Sequence, residues 1–516
     1  MDVLLIFSTI ATLFGLGSAW TVENIGSFPL NDAAFASILP GGSPSGGYDL
    51  VVSSFNAVPT TLDIVTVVRD VGSQISGGVA NFDVQILADG LLWPNEVEEV
   101  PEDVFGSSEL WWVACGFLVP TKTDGYLSFI ENSHDTAVSP STWHRVTETS
   151  EERTSNPPPL FYHRAAFVDV DGDGKKDMLS SRVNVPTYLV REETQLFLLF
   201  PVTIHEVGDV YSEMIWFKQP QRDPLTTMWR DTFMFYGPDS MFRYEEIPLP
   251  NGKTRFVILS TQYFSEKLVL SWAEGDSFAQ ATGGGYLLDH RVIDSTPGER
   301  YFDSEIVDLN GDGVLDLLVT ANSDVNGKLL AYEVPWDDLR YGTFVKHVLA
   351  EGFAPHGIVT GEGSGAPGLA FSIMPSTSES SDVNGKLLAY EVPWDDLRFG
   401  TFVKHVLAEG FAPHGIVTGE GSGAPGLAFS IMPSTSEPRQ KPIIIMTGDD
   451  DGNAYIFESC SDSSPNDWCY TKTSIFQANR GTVGAPAAKD VDGDGDIEIF
   501  IPTWTDGKVH VLKYHP

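Results

Sequence analysis

Apolar and polar positions alternate in short runs along this 516-residue chain, and turn residues bound each run. A period of two with Gly, Asn, Asp and Pro punctuation predicts β-strands rather than helices. Asn-Gly or Asp-Gly precedes an alternating run in SDVNGKLLAY, TDGKVHVLKY, DDDGNAYIF and TDGYLSFI. These dipeptides accept the positive φ of tight hairpin turns, so each predicts a strand–turn–strand unit. Another strand signature, clear in FVKHVLAEG from Phe344, recurs from Trp20, Phe82, Trp143, Trp229, Leu287, Phe402 and Tyr470. In chain order the starts are 62, 61, 86, 58, 57, 58 and 68 residues apart. Such a period suits one four-stranded propeller blade. The predicted fold is therefore an all-β propeller of four-stranded blades. KVHVLKYHP supplies a third strand with no fourth behind it, and WTVENIG supplies a fourth with no blade before it. Pairing the two would close the ring and hide two open sheet edges.

Residues 323–379 recur at 381–437, and the two copies differ only where Tyr341 becomes Phe399. Diverged blades do not match so closely. The repeat points to a seven-bladed ancestor, with eight blades if the extra unit folds as one and an extruded insertion if it does not.

Composition narrows the setting. The chain is 42% hydrophobic and 11% aromatic, enough to bury a large core. Its net charge of -40 repels nucleic acid and anionic membranes, and favours divalent cations or basic partners; it also serves solubility. The apolar start, residues 1–19, ends in Gly17-Ser18-Ala19 and is expected to be a signal peptide, leaving a secreted single domain over 20–516. No later run is long enough to span a bilayer. Cys460 and Cys469 flank a short polar loop and predict a disulfide, whereas Cys115, within LWWVACGF, reads as a buried free thiol.

Three nine-residue loops carry the candidate chemistry: DVDGDGKKD from Asp169 to Asp177, DLNGDGVLD from Asp308 to Asp316, and DVDGDGDIE from Asp490 to Glu498. Oxygen side chains at places 1, 3, 5 and 9 can converge on one hard cation, and calcium takes six to eight such ligands. The candidate ligands are Asp169, Asp171, Asp173 and Asp177; Asp308, Asn310, Asp312 and Asp316; and Asp490, Asp492, Asp494, Asp496 and Glu498. At place 7 a backbone carbonyl suffices, so Lys175 and Val314 are tolerated there. A helical calcium hand needs an acid at place 12, where this chain has Ser180, Val319 and Ile501. Strand-like flanks (AAFV, EIV, MLSS, LLVT, IFIP) also exclude it. About three calcium ions are expected.

Acidic nine-residue loops between strands, repeated along a chain of hairpins, resemble the FG-GAP/VCBS repeat family. That resemblance implies a propeller like those of integrin α-subunit heads, with calcium between the first and second strands of a blade. It also implies that the joins from a fourth strand to the next first strand gather on the opposite face, around the central channel. Those joins hold Asn31, Asp32, Asn95, Glu96, His163, Arg164, Asp239, Glu299, Arg300, His356 and Arg480, with His414 in the repeat. They are either ordinary polar residues of a wet channel mouth or a pocket for a polar ligand such as a carbohydrate.

Hydrolase and nucleotide signatures (GxSxG, HExxH, a P-loop) and an RGD tripeptide are absent. The leading expectation is a secreted calcium-binding propeller that recognises an extracellular protein or glycan. The alternative is a carbohydrate-active enzyme of lyase or dehydratase type using the channel-mouth residues.

Overall fold

The computed structural model describes residues 20–516 except 42–46, 57–60, 107–109, 118–121, 132–139, 150–158, 185–210, 324–326, 354–368, 375–384, 392–402, 412–427, 433–440, 449–451, 462–463, 465 and 479–481. Within 369–411 it describes the strand backbone alone.

Seven four-stranded antiparallel sheets make the ring. Blade one comprises Ala33–Pro40, Tyr48–Ser54, Asp63–Val68 and Val84–Leu91. Blade two follows with Pro94–Glu99, Leu110–Cys115, Leu127–Glu131 and Trp143–Arg145. Blade three has Phe161–Val168, Asp177–Asn184, Tyr211–Lys218 and Arg230–Tyr236. Blade four has Phe242–Pro248, Thr254–Gln262, Lys267–Gly275 and Asp289–Asp294. Blade five has Arg300–Val307, Asp316–Asn322, Gly327–Glu333 and Val345–Phe353. Blade six has Ala428–Ile431, Ile443–Thr447, Asn453–Ser459 and Tyr470–Gln477. Blade seven joins Ala487–Lys489, Ile497–Thr503 and Lys508–His515 to the N-terminal strand Thr21–Pro29.

That last pairing runs from Thr21 opposite His515 to Pro29 opposite Lys508, with a bulge between Asn24 and Gly26. Gly26 has φ 141, and a Cβ there would sit 3.1 Å from Val79, so glycine suits the bulge. The ring closure read from the two chain ends is therefore present.

Second strands are buried along nearly their whole length, without alternation, because both their faces are covered by neighbouring blades. Trp111, Val113, Leu317, Val319, Ile443, Ile445, Ile499 and Ile501 are all fully buried. Each such side chain contributes roughly 1.5–3 kcal/mol relative to exposure. Fourth strands lie at the rim and are more exposed, as in Arg230–Tyr236, where Phe233 and Tyr236 are exposed and Met234 is buried.

The repeat does not add an eighth blade. Leu309, Leu318 and Leu329 of blade five share one core with Ala428, Ile444, Met446 and Phe457 of blade six. Tyr470 also donates its hydroxyl to the Leu309 carbonyl at 2.9 Å. The extra segment instead forms a three-stranded sheet of Leu369–Met374, Gly385–Glu391 and Val403–Phe411. Its physical reason lies in the repeat boundary. Each copy carries third and fourth strands of one blade and the first strand of the next, so tandem copying yields no second strand. The missing element is the one that is buried on both faces elsewhere.

Candidate functional site

All three acidic loops connect the first strand to the second, on blades three, five and seven. Their folds are nearly superposable in hydrogen bonding. The first Asp accepts backbone N–H groups from places 4 and 6: Asp169 from Gly172 at 2.7 Å and Gly174 at 3.0 Å. Asp308 does the same with Gly311 and Gly313, and Asp490 with Gly493 and Gly495. The place-6 glycines have φ of 84, 84 and 96, a region that disfavours other residues. The ninth residue reaches back to the N–H of place 2: Asp177 to Val170, Asp316 to Leu309, and Glu498 to Val491.

This curl brings oxygens of Asp169, Asp171 and Asp177 within 4.8 Å of one another, and likewise those of Asp490, Asp492 and Glu498. In the middle loop Asn310 occupies the third place and donates to Asp312. Burial pushes Asp177 up to about 6 and Asp316 up to about 7, and also raises Glu498. In contrast, hydrogen bonds from Lys218 and Lys513 lower Asp173 and Asp494, respectively. The donor set fits a hard cation. It is all oxygen, and a lysine ammonium pairs with the acids at two loops, Lys218 with Asp171 and Asp173, and Lys513 with Asp492, Asp494 and Glu498.

The inner strands form a second charged cluster around Arg164. Its Nε and Nη2 donate to both oxygens of Glu96 at 2.7 Å, while Nη1 donates to Asp303 and to the Phe242 carbonyl at 3.1 Å. These partners come from blades two, five and four, so a single guanidinium crosses the centre of the ring. Arg243 lies beside it, donating to the Ser304 carbonyl at 3.0 Å, with Asp303 at 4.0 Å. Ser37 donates to Glu98, and Ser430 donates its N–H and hydroxyl to Glu305. Burial, and then the neighbouring Glu96, pushes Glu98 up to about 8. Glu305 is also raised, chiefly by burial.

Of the channel-mouth residues read from the sequence, Glu96 and Arg164 meet; the others are held separately. Asn95 donates to the Gly116 and Tyr162 carbonyls. His163 is buried between Phe117 and Phe161, with no partner among the described residues for either ring nitrogen, and burial lowers it to about 4. Asp239 accepts the N–H groups of Phe264 and Ser265. Glu299 pairs with Lys328 and Lys346, and Arg300 lies 5.8 Å over the Tyr263 ring. Asp32 accepts from Asn56, and Asn31 is exposed in a turn. His356, His414 and Arg480 lie outside the described residues.

Sequence reasoning passed over Ser37, Glu98, Arg243, Asp303, Glu305 and Ser430. A signal was present: Glu96 and Glu98, like Asp303 and Glu305, stand two apart on first strands, and so share one face of the strand. The Cys460–Cys469 disulfide is present, linking the third strand of blade six to its fourth, and Cys115 is buried and free. Among the described residues no helix is long and apolar enough to cross a membrane.

No family model matches the chain, and no curated protein matches it. Solved structures with a similar course include one described as the Dos1 propeller, at 7% identity and TM-score 0.42, covering 95% of each chain. A polysaccharide lyase, Uly1, is 10% identical with TM-score 0.33, covering 94% of this chain and 90% of its own. Trypanosoma rangeli sialidase with 2,3-difluorosialic acid is 8% identical with TM-score 0.31, covering 97% of this chain and 59% of its own. At these identities and overlaps they carry no argument about activity.

Proposed function

We propose that this chain is a secreted, calcium-stabilised propeller of the FG-GAP/VCBS kind that binds an extracellular protein or glycan. The observation that carries the reading is the recurrence of one loop design at one structural position on three alternate blades. Two of the loops bring three carboxylates within 4.8 Å of one another, and in the third Asp312 and Asp308 repel Asp316; a cation would relieve that repulsion. The apolar first 19 residues and the Cys460–Cys469 disulfide support secretion. The role of each ion would be to lock a connection between the first and second strands.

A binding role is favoured over catalysis because, among the described residues, the reactive candidates Arg164 and His163 are already engaged or enclosed. Arg164 holds carboxylates on both edges, and His163 is enclosed by aromatic rings. The net charge of -40 points to a partner with a basic surface. The test is thermal unfolding of the secreted chain with calcium and with a chelator. Chelation should lower the Tm by several degrees, since a ligand bound only by the native state stabilises it by mass action. An unchanged melting curve would exclude the calcium reading. Partner capture should weaken as salt rises; capture indifferent to salt would exclude charge as its basis.

A further inference from the structure

The three loops differ in what faces their ninth residue across the next strand pairing. In blade seven Glu498 lies opposite Lys513, and in blade five Asp316 lies opposite Glu333. In blade three the pair Met178–Phe217 places Lys218 next to Asp177, whose Oδ1 accepts the Gln219 N–H. Two loops thus have a lysine at this position and one has a glutamate.

Both lysines reach into their own loops. Lys218 Nζ pairs with Asp171 and, at 2.9 Å, with Asp173. Lys513 Nζ lies 3.2 Å from Asp492, 2.6 Å from Asp494 and 2.9 Å from Glu498. Asp171, Asp492 and Glu498 are members of the converging oxygen groups. Among the described residues no lysine or arginine pairs with Asp308, Asp312 or Asp316. Glu333 turns instead to His347 Nε2 at 2.7 Å, and that imidazole stacks on Trp468 at 4.2 Å.

From these contacts, and resting on the calcium reading above, we propose that Lys218 and Lys513 are tethered stand-ins for the ion. An ammonium seated among these carboxylate oxygens fills the space a calcium ion needs and repels it, so metal entry must displace the lysine from them. The lysine therefore does two opposite things. It weakens metal binding at its own loop, because a favourable ion pair is broken on binding. It also holds the metal-free loop together, because it offsets the repulsion among the acids. The loop of blade five has neither effect: without metal its carboxylates face one another and Glu333 adds to their charge. Removal of calcium should then loosen blade five's loop while those of blades three and seven keep their form.

Hydrogen exchange on the full chain, read by mass spectrometry with calcium and with a chelator, tests this. On chelation, residues 308–316 should lose protection by about tenfold or more, while 169–177 and 490–498 change by less than about threefold. K218M should make 169–177 respond like 308–316, and E333K should make 308–316 resist the chelator. If K218M does not fold without metal, K218Q and the E333K variant carry the same comparison. In a terbium titration K218M and K513M should each tighten one site about tenfold. Equal responses of all three loops in the wild type, or unchanged affinity in both lysine variants, would overturn the proposal while leaving calcium binding intact. A wild-type chain whose loops respond to no metal would overturn the calcium reading and this proposal together.

Discussion

The ring carries clustered carboxylates in two places and handles them in opposite ways. At the channel, Glu96 and Asp303 are paired from within by Arg164, a residue of the same chain delivered by a third blade, with Arg243 4.0 Å from Asp303. In the acidic loops most of the organisation comes from backbone N–H groups, and at blade five no cationic side chain of the described residues takes part. Burial differs accordingly: Arg164 is 7% exposed, whereas Asp171 and Asp312 face solvent. A buried charge must bring its counter-charge with it, since an unpaired one costs several kcal/mol. A loop at the edge can leave that place to an ion from solution. The channel cluster is therefore a permanent part of the fold, while the loops can respond to their surroundings.

The sharpest break of this contrast is Arg164→Met. It leaves Glu96 and Asp303 beside one another's field and the Phe242 carbonyl without its donor. We expect a loss of about 3–5 kcal/mol in denaturant unfolding, the range for removing one partner of a buried ion pair. The loss should be the same with and without calcium. Next in size is Asp308→Ala, which removes the acceptor for two glycine N–H groups and one proposed ligand. It should lower the Tm by several degrees in calcium and by less in chelator. A drop of equal size in both would assign Asp308 to the turn alone.

Much of the ring was legible in the chain because its signals are local. Turn dipeptides sit between second and third strands, as SDVNGKLLAY does in blade five and TDGKVHVLKY in blade seven. The acidic loops and the disulfide also depend on residues close in sequence. Two things depended on distant residues instead. Counting recurrences of the fourth strand gave the repeat the weight of a blade, although a blade also needs the second strand that the copied unit lacks. Arg164 and Asp303, 139 residues apart, are joined only by ring closure. Period-two spacing could nominate the carboxylates of the inner strands, but nothing local shows which guanidinium meets them.

The channel also has an internal gradation that pH can expose. Among the described residues Glu98 accepts a hydrogen bond from the Ser37 hydroxyl alone, and burial beside Glu96 pushes it up to about 8. Its folded value lies above the unfolded one, so the native state holds a proton that the unfolded chain releases first. Its contribution is full below about 4.5 and is lost as pH rises toward 8. Glu98→Gln should flatten that slope: the variant should match the wild type near pH 4 and exceed it at pH 8. Urea unfolding at both values measures this, and parallel slopes would mean that Glu98 ionises freely in the channel.

The smallest effect should come from His163, which has the opposite sign. Enclosed by Phe117 and Phe161 and next to Arg164, its imidazole is lowered to about 4, chiefly by burial. The unfolded chain takes up the proton first, near 6.5, so this site's stability is present above that value and is lost as pH falls toward 4. His163→Phe keeps an aromatic ring in the same place and removes the titration. Relative to the wild type it should gain stability between pH 6.5 and 4, a difference from which the loop carboxylates, common to both proteins, cancel. If the two proteins lose stability in parallel over that window, His163 is reached by solvent or by a partner, and the contrast between a closed channel and responsive loops weakens at this residue.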